Sequence, residues 1–332
     1  MTTGYSVSQY GNMIACKPRM DAYAEALRRA VTPGCTVIDI GAGTGMFALL
    51  ACKFGAERVI AIEPADAVQL LRISARDNGF ADRITVLQDL STAFTEANVA
   101  DVIVADLRGC LPLFENHIPI MIDARERMLK PGGILMPHRD TIRAALCCHP
   151  DYTELCEEPW LRNDYGVNLS AGHRFAVNRF LRTILKPSDL RSAAHDLLVI
   201  DYGTVTSPDF TGSIVLEACE AGTVNGFLLW LDAEIAPGLR YSNAPDEPPL
   251  VYETCYFPLE CALDLAVGDR IELTMTARLG DGDYLWTWAS NLIRAGTNTV
   301  ERAFRQNSFV ESALAARRLR ALPKDDDVAA ST

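Results

Sequence analysis

The 332 residues carry 49% hydrophobic and 22% charged side chains, enough apolar material to bury a full core across about two domains. A formal net charge of −12 argues against broad contact with a phosphate backbone and favours cationic substrates or partners, so nucleic acid is not an expected partner. Ten cysteines without a C-x-x-C pair describe neither a metal box nor a disulfide ladder; they read as reduced packing residues, with no metal site. No apolar run approaches the roughly 20 residues that cross a bilayer. The polar opening MTTGYSVSQYGN also lacks the basic and apolar regions of a signal peptide, so the expectation is a cytoplasmic protein without membrane association.

Met20, Tyr23, Ala24 and Leu27 recur at helical spacing between Pro18 and Val31, and Pro33-Gly34 stops this leading helix. β-type runs follow at Thr36-Ile40, Val59-Ile62, Ile84-Leu87 and Val102-Ala105, separated by helical stretches at Met46-Phe54 and Ala67-Asn78. Ile120 to Leu129 reads as a helix ended by Lys130-Pro131-Gly132-Gly133, before a strand at Ile134-Met136. Strands alternating with helices predict an α/β fold with a doubly wound, mostly parallel Rossmann-like sheet over residues 1–140. Beyond it, runs at Leu197-Ile200, Ser213-Ala218, Phe227-Ile235, Val251-Leu259 and Arg270-Ala277 lie between turn residues, as antiparallel strands do, and predict a β-barrel-like domain over 141–298. Arg305 to Ala321 has helical periodicity through Phe309, Leu314 and Leu319, so 299–332 reads as a C-terminal helix and a solvated, disordered tail.

Thr36-Val-Ile-Asp39-Ile-Gly41-Ala-Gly43-Thr-Gly45 sets three glycines directly after the first strand, where the backbone must turn sharply and approach a ligand closely. Glu63 ends the second strand, placed to accept hydrogen bonds from two ribose hydroxyls. The spacing is G-x-G-x-G rather than the G-x-G-x-x-G that cradles a pyrophosphate, which favours S-adenosylmethionine over a nicotinamide dinucleotide. An Asp at the end of strand four, Asp106, and Leu129-Lys-Pro-Gly-Gly133 before strand five form a pattern common in class I methyltransferases. Gln88-Asp89-Leu90 stands where such proteins meet the adenine ring; Asp89 as a plain loop cap is the alternative.

The chain resembles the protein arginine methyltransferases along most of its length. Met13-Ile14 followed by Arg19 and Tyr23 is similar to the family's H-x-x-M-L-x-D-x-x-R-x-x-x-Y helix. Tyr165-Gly-Val-Asn-Leu-Ser170 resembles Y-G-F-D-M-S, and Tyr241-Ser-Asn-Ala-Pro245 resembles F-S-T-x-P. The resemblance implies that Arg19 clamps the cofactor's methionine carboxylate, a task suited to a planar guanidinium, rather than being a solvated helix charge. It implies that Met13 sits beside the transferred methyl; a core role is the alternative. A helical dimerisation arm is expected near 180–196, and with it a homodimer.

The family's active-site loop carries two glutamates nine residues apart, and Asp106 and Glu115 have that separation here. A guanidinium stays protonated at neutral pH, so its nitrogens are poor nucleophiles. Paired carboxylates can hold the cation, draw positive charge to the far nitrogens and aim the remaining one at the sulfonium methyl. The alternative reading has Asp106 touching only the cofactor and Glu115 capping the next helix. Two departures occur together: Leu250, Val251 and Tyr252 stand at the family's T-H-W, and Cys16 stands at the Asp that pairs with its His. Tyr10 replaces the cofactor-touching His. Joint loss of both partners reads as a remodelled substrate pocket, because losing one alone would strand a buried polar group.

These readings converge on N-methylation of free L-arginine or a close guanidino metabolite, in natural-product biosynthesis, with S-adenosylhomocysteine as co-product. Protein arginine methylation and a catalytically silent adenosylmethionine-binding protein are the alternatives. Asp281, Asp283, Arg240 and the Trp286-Thr-Trp288 pair are candidates for holding the amino acid's own charges, although two tryptophans one residue apart on a strand also fit a barrel core.

Overall fold

The structure is a computed structural model that describes residues 5–309. The chain forms two compact units that interleave in sequence. The chain up to Ile142, Val199–Ser207 and Trp230–Glu253 make the first; Arg143–Leu198, Pro208–Leu229 and the chain from Thr254 onward make the second. The expected boundary at residue 140 is therefore only the first of several crossings. The later ones fall inside or beside long strands, which carry the chain from one unit into the other.

The first unit opens with α1 (Val7–Ala15) and α2 (Lys17–Ala30). The leading helix expected between Pro18 and Val31 is α2, and the resemblance set Met13 on one helix with Arg19 and Tyr23. Instead Cys16, with ψ 85°, breaks it, and Pro18 starts α2 at a first-turn position where its missing N–H costs nothing. The chain continues through β1 (Thr36–Ile40), α3 (Met46–Lys53), β2 (Arg58–Ile62), α4 (Val68–Asp77), β3 (Ile84–Leu87), β4 (Ala100–Ala105), α5 (His117–Asp123) and β5 (Leu129–Met136). The strands form a parallel sheet in the order β3-β2-β1-β4-β5. β1 and β2 are buried at four of five positions each, as expected of strands covered on both faces. Tyr23, Ala26 and Leu27 of α2 pack into the same core as Phe47 and Ala48 of α3 and Leu71 of α4.

β6 (Arg139–Cys147) leads on to α6 (Ser170–Ala176), β7 (Leu181–Thr183), β8 (His195–Asp201), β9 (Phe210–Glu217), β10 (Gly222–Ala236) and β11 (Leu239–Ser242). β12 (Thr254–Leu265), β13 (Arg270–Gly280), β14 (Asp283–Ile293) and β15 (Val300–Asn307) complete the described elements. One sheet has the order β7-β12-β10-β6-β8, with β11 on β10; a four-stranded sheet runs β15-β14-β13-β9 with antiparallel pairs throughout. Burial alternates along β13 and β14, so one face of that sheet is core. Trp286 and Trp288 lie on that face, almost fully buried, with ring centroids 5.4 and 5.3 Å from Phe257. They pack in the core of the second unit. Asp281 and Asp283 flank the tip of the β13–β14 hairpin, and Arg240 is exposed on β11.

Two expected elements differ. The 180–196 stretch is not a helical arm: Leu181–Thr183 pairs with β12, Pro187–Asp189 is a single 3₁₀ turn, and Ser192 bridges to Ala218. The helical segments lie upstream, at Thr153–Glu157 and in α6. The expected C-terminal helix does not begin at Arg305, because Val300–Asn307 pairs with β14 and turns Phe304 and Gln306 inward with a period of two. The rest of that expectation, with the tail, lies outside the described residues. Among the described residues no helix is long and apolar enough to cross a membrane.

Candidate active site

The glycine loop follows β1. Gly41, Gly43 and Gly45 have φ of 72°, 53° and 88°, a left-handed region that side chains with a Cβ resist. At Gly43 there is a second reason: a Cβ would lie 2.6 Å from Cε1 of Tyr10, so the ring from α1 rests directly on the loop. Burial, then the nearby Glu63 carboxylate, pushes the Tyr10 phenol up to about 12, so it stays protonated.

Glu63 is 8% exposed at the end of β2, where its oxygens accept from the Gly43 amide at 3.0 Å and the Ala65 amide at 2.8 Å. Each oxygen keeps a second acceptor direction, so the carboxylate can fix the loop and still take hydroxyl donors. Asp39 accepts from the Ala48 amide at 2.9 Å through Oδ2, while its buried Oδ1 has no partner among the described residues. Burial raises this carboxyl to about 7. Asp89 accepts the amide of its own neighbour Leu90 at 2.7 Å, and both residues are exposed after β3. A loop only glycine can form, a paired acid beneath it and an orphaned acceptor behind it together fit a nucleoside such as that of adenosylmethionine.

Arg19 is buried in the first turn of α2. Its Nε donates to Asp106 Oδ2 at 2.5 Å, and Nη1 donates to the Met13 carbonyl at 3.2 Å, one of the carbonyls left open where α1 ends. The guanidinium lies 5.6 and 5.4 Å from the ring centroids of Tyr23 and Phe47. Nη2 donates to none of the described residues, which leaves one donor edge for an external carboxylate. Met13 is half-buried beside it.

Asp106 follows β4, and three of its acceptor directions are taken within the chain. Oδ2 also accepts from the Tyr252 hydroxyl at 2.9 Å, and Oδ1 accepts from Arg108 Nε at 3.1 Å. Burial opposes its charge, but Arg19 and then Arg108 outweigh it and hold the carboxyl down to about 2. Arg108 is itself sealed: Nη1 donates to Asp140 Oδ1 at 2.7 Å, and Nη2 donates to the Tyr23 and Tyr241 hydroxyls at 2.6 and 2.5 Å. Its side chain and that of Asp140 have no exposed surface. Tyr202 donates to Asp140 Oδ2 at 2.5 Å, so its single proton is spent, and the 2.8 Å contact with His117 requires His117 Nε2 to donate. The two acids and two guanidiniums balance, as buried charges must.

Glu115 ends the same ten-residue loop in the opposite environment. It is exposed, with φ 44°, and forms no ion pair among the described residues. The two acids are therefore not joined by a hydrogen bond or a shared partner, and α5 is capped at Asn116 without a side-chain bond. Asn243 holds the loop's middle, donating to the Cys110 carbonyl at 3.1 Å and the Glu253 carbonyl at 2.8 Å. Arg108, Asp140, Tyr202 and Asn243 were not singled out from sequence. Arg108 left the clearest signal, as a lone charge inside the apolar run Leu107-Arg-Gly-Cys-Leu-Pro-Leu-Phe114.

Residues 22–146 match a family profile described as ribosomal protein L11 methyltransferase. A Chlamydomonas reinhardtii protein arginine N-methyltransferase 1 is 30% identical over 252 residues, covering 73% of each chain. An arginine N(omega)-methyltransferase from Streptomyces achromogenes subsp. streptozoticus is 27% identical over 273 residues, 80% of this chain and 74% of that one. A longer Arabidopsis thaliana relative, a probable protein arginine N-methyltransferase 6, is spanned over 55% of its length. The fold matches a Trypanosoma brucei PRMT1 enzyme–prozyme heterotetrameric complex with AdoHcy at a TM-score of 0.82 and 21% identity, over 90% of this chain and 96% of that one. With the glycine loop, Glu63 and the Arg19–Asp106 pair already in place, the similarity to the Chlamydomonas protein over most of both chains shows that this chain belongs to the protein arginine N-methyltransferase family of class I, adenosylmethionine-dependent methyltransferases.

Proposed function

We propose that this methyltransferase acts on the guanidino nitrogen of free L-arginine or a close guanidino metabolite, in natural-product biosynthesis, giving an Nω-methylarginine and S-adenosylhomocysteine. The observation that carries the reading is Tyr252. At the segment corresponding to the family's T-H-W, its hydroxyl donates to Asp106, so the acid's surroundings are rebuilt rather than lost. The name of the Streptomyces relative supports the same acceptor.

Adenosylmethionine supplies an electrophilic methyl on a sulfonium, and Gly41, Gly43, Gly45, Glu63, Asp39, Asp89 and Leu90 are the residues that would hold it. Arg19 offers its free edge to the cofactor's carboxylate while Asp106 and the Met13 carbonyl keep the guanidinium in plane. Glu115, exposed and without an ion pair among the described residues, is the carboxylate available to an incoming cation. The acceptor nitrogen must approach in line with the sulfur–methyl bond and give up a proton as the new bond forms.

Two other readings each have an observation behind them. The −12 charge would draw basic protein tails and favours protein arginine. The pairing of Asp106 with two of the chain's own arginines favours a silent, cofactor-binding protein. Incubation with adenosylmethionine and L-arginine, other guanidino compounds or a pool of arginine-rich peptides, read by mass spectrometry, separates the three. Methylated free arginine with untouched peptides supports the proposal; peptide product alone restores the protein-modifying role; silence with every guanidino compound leaves the binding role.

A further inference from the structure

Asp106 is the acid at which a guanidinium acceptor would dock, and the chain already supplies a guanidinium there. Arg108 Nε reaches Asp106 Oδ1 at 3.1 Å, Arg19 Nε reaches Oδ2 at 2.5 Å, and Tyr252 takes the rest of Oδ2 at 2.9 Å. Arg108 is not free to swing aside, because Asp140, Tyr23 and Tyr241 hold its other nitrogens and its side chain has no exposed surface. A third guanidinium at Asp106 would meet two resident cations and, when the cofactor is bound, a sulfonium, with the acid's charge already spent. Only Glu115 remains for it, in water and therefore weak.

We infer that Arg108 is a specificity-determining residue: it occupies the place of a substrate guanidinium on Asp106, so the acceptor enters with an uncharged nitrogen. The acceptor class is then a guanidine carrying an electron-withdrawing substituent, such as an N-acylguanidine, which loses its proton several pH units below an alkylguanidinium, so that near pH 7 it offers an accessible neutral fraction whose nitrogen keeps a usable lone pair. That nitrogen attacks the sulfonium methyl, the N–C bond forms, and the S–C bond breaks with its electron pair returning to sulfur. The N–H proton leaves to water or to Glu115. This narrows the proposed function to one kind of guanidino metabolite and rests on that reading.

The test is equilibrium binding, which does not depend on turnover. Calorimetry on protein saturated with adenosylhomocysteine would compare L-arginine with its Nω-acyl analogue, in the parent and in Arg108→Met/Asp140→Asn. That double variant removes one charge of each sign and leaves the Arg19–Asp106 pair. The parent is expected to bind the acyl analogue at least tenfold more tightly than arginine, and the double variant to gain at least tenfold for arginine. Arg108→Lys, which keeps the charge, is expected to retain the parent's preference, and unchanged affinity for adenosylhomocysteine in each variant shows an intact fold. Equal or tighter binding of arginine by the parent overturns the inference, as does an unchanged preference in the double variant or binding of neither ligand by both proteins. Methyl transfer from adenosylmethionine to the same two ligands then reads the function separately: no product despite selective binding would sink the catalytic proposal and leave the role of Arg108 standing.

Discussion

Three side chains carry most of what is distinctive at the residue scale. Arg19 is held by Asp106 and a helix-end carbonyl with one edge to spare. Arg19→Lys loses that planar fork, and because charge-assisted hydrogen bonds contribute about 1.5–3 kcal/mol, affinity for adenosylhomocysteine should fall roughly ten- to a hundredfold by calorimetry. An unchanged affinity would remove the clamp role. The two loop acids should respond in opposite ways. Asp106→Asn removes the ion pair of Arg19 and leaves Arg108 with Asp140 alone, and should cost about 3–5 kcal/mol in urea unfolding. Glu115→Gln, on the surface, should change stability by no more than about 0.5 kcal/mol while lowering methyl transfer.

His117 is sealed against Tyr202, and burial, then the Arg108 charge, depresses it from 6.5 to about 3. Between those values the unfolded chain binds a proton that the folded chain refuses, so stability falls as pH drops from 6.5 toward 3, by up to about 1.4 kcal/mol per pH unit. Asp39 acts in the opposite sense: raised to about 7, it adds stability below 3.8 that is lost as pH rises through 7. The His117 contribution is therefore read as the difference between the parent and His117→Gln in urea titrations at pH 4.5 and 6.5. A constant difference would mean that the ring is accessible or charged.

At the scale of elements, the glycine loop and α1 act as one piece. Gly43→Ala must take φ 53° with a Cβ, at about 1–2 kcal/mol, and must also displace the Tyr10 ring. Pairing it with Tyr10→Ala should recover the steric part and leave the backbone part, so a double-mutant cycle should show coupling; strict additivity would mean that the ring does not rest on the loop. α1 itself buries no residue and begins with a capping box between Ser6 and Gln9. Its position depends on that cap, on Tyr10 and on the Met13 carbonyl taken by Arg19.

For the whole molecule, the expectation of self-association now attaches to a different segment. Leu161, Tyr165, Val167, Leu169 and Phe175 are exposed between β6 and β7, upstream of the stretch that the sequence suggested. Light scattering should give a mass of twice 36.4 kDa, and Leu161→Asp with Phe175→Asp should halve it. A monomer at every concentration would remove these residues as a contact.

Local chemistry was enough to make the cofactor half of the first unit readable in the sequence. Three glycines must follow a strand for the chain to turn there, Glu63 must end the next one, and the strands between them are short apolar runs with one available role. Asp106 could be placed at a strand end for the same reason. Its partners could not: Arg19 is 87 residues away, Tyr252 is 146 away, and Arg108 is joined to Tyr241 across 133. No periodicity or motif encodes such pairings, because they depend on how distant strands bring side chains into one dry space, where each charge must find its opposite. The helical arm and the start of the helix expected from Arg305 failed for a related reason, since pairing with β12 and β14 overrode local pattern. The sequence alone thus determined the fold class and the glycine loop after β1. Only the tertiary structure decided that the acid expected to hold the acceptor is already held by two of the protein's own arginines.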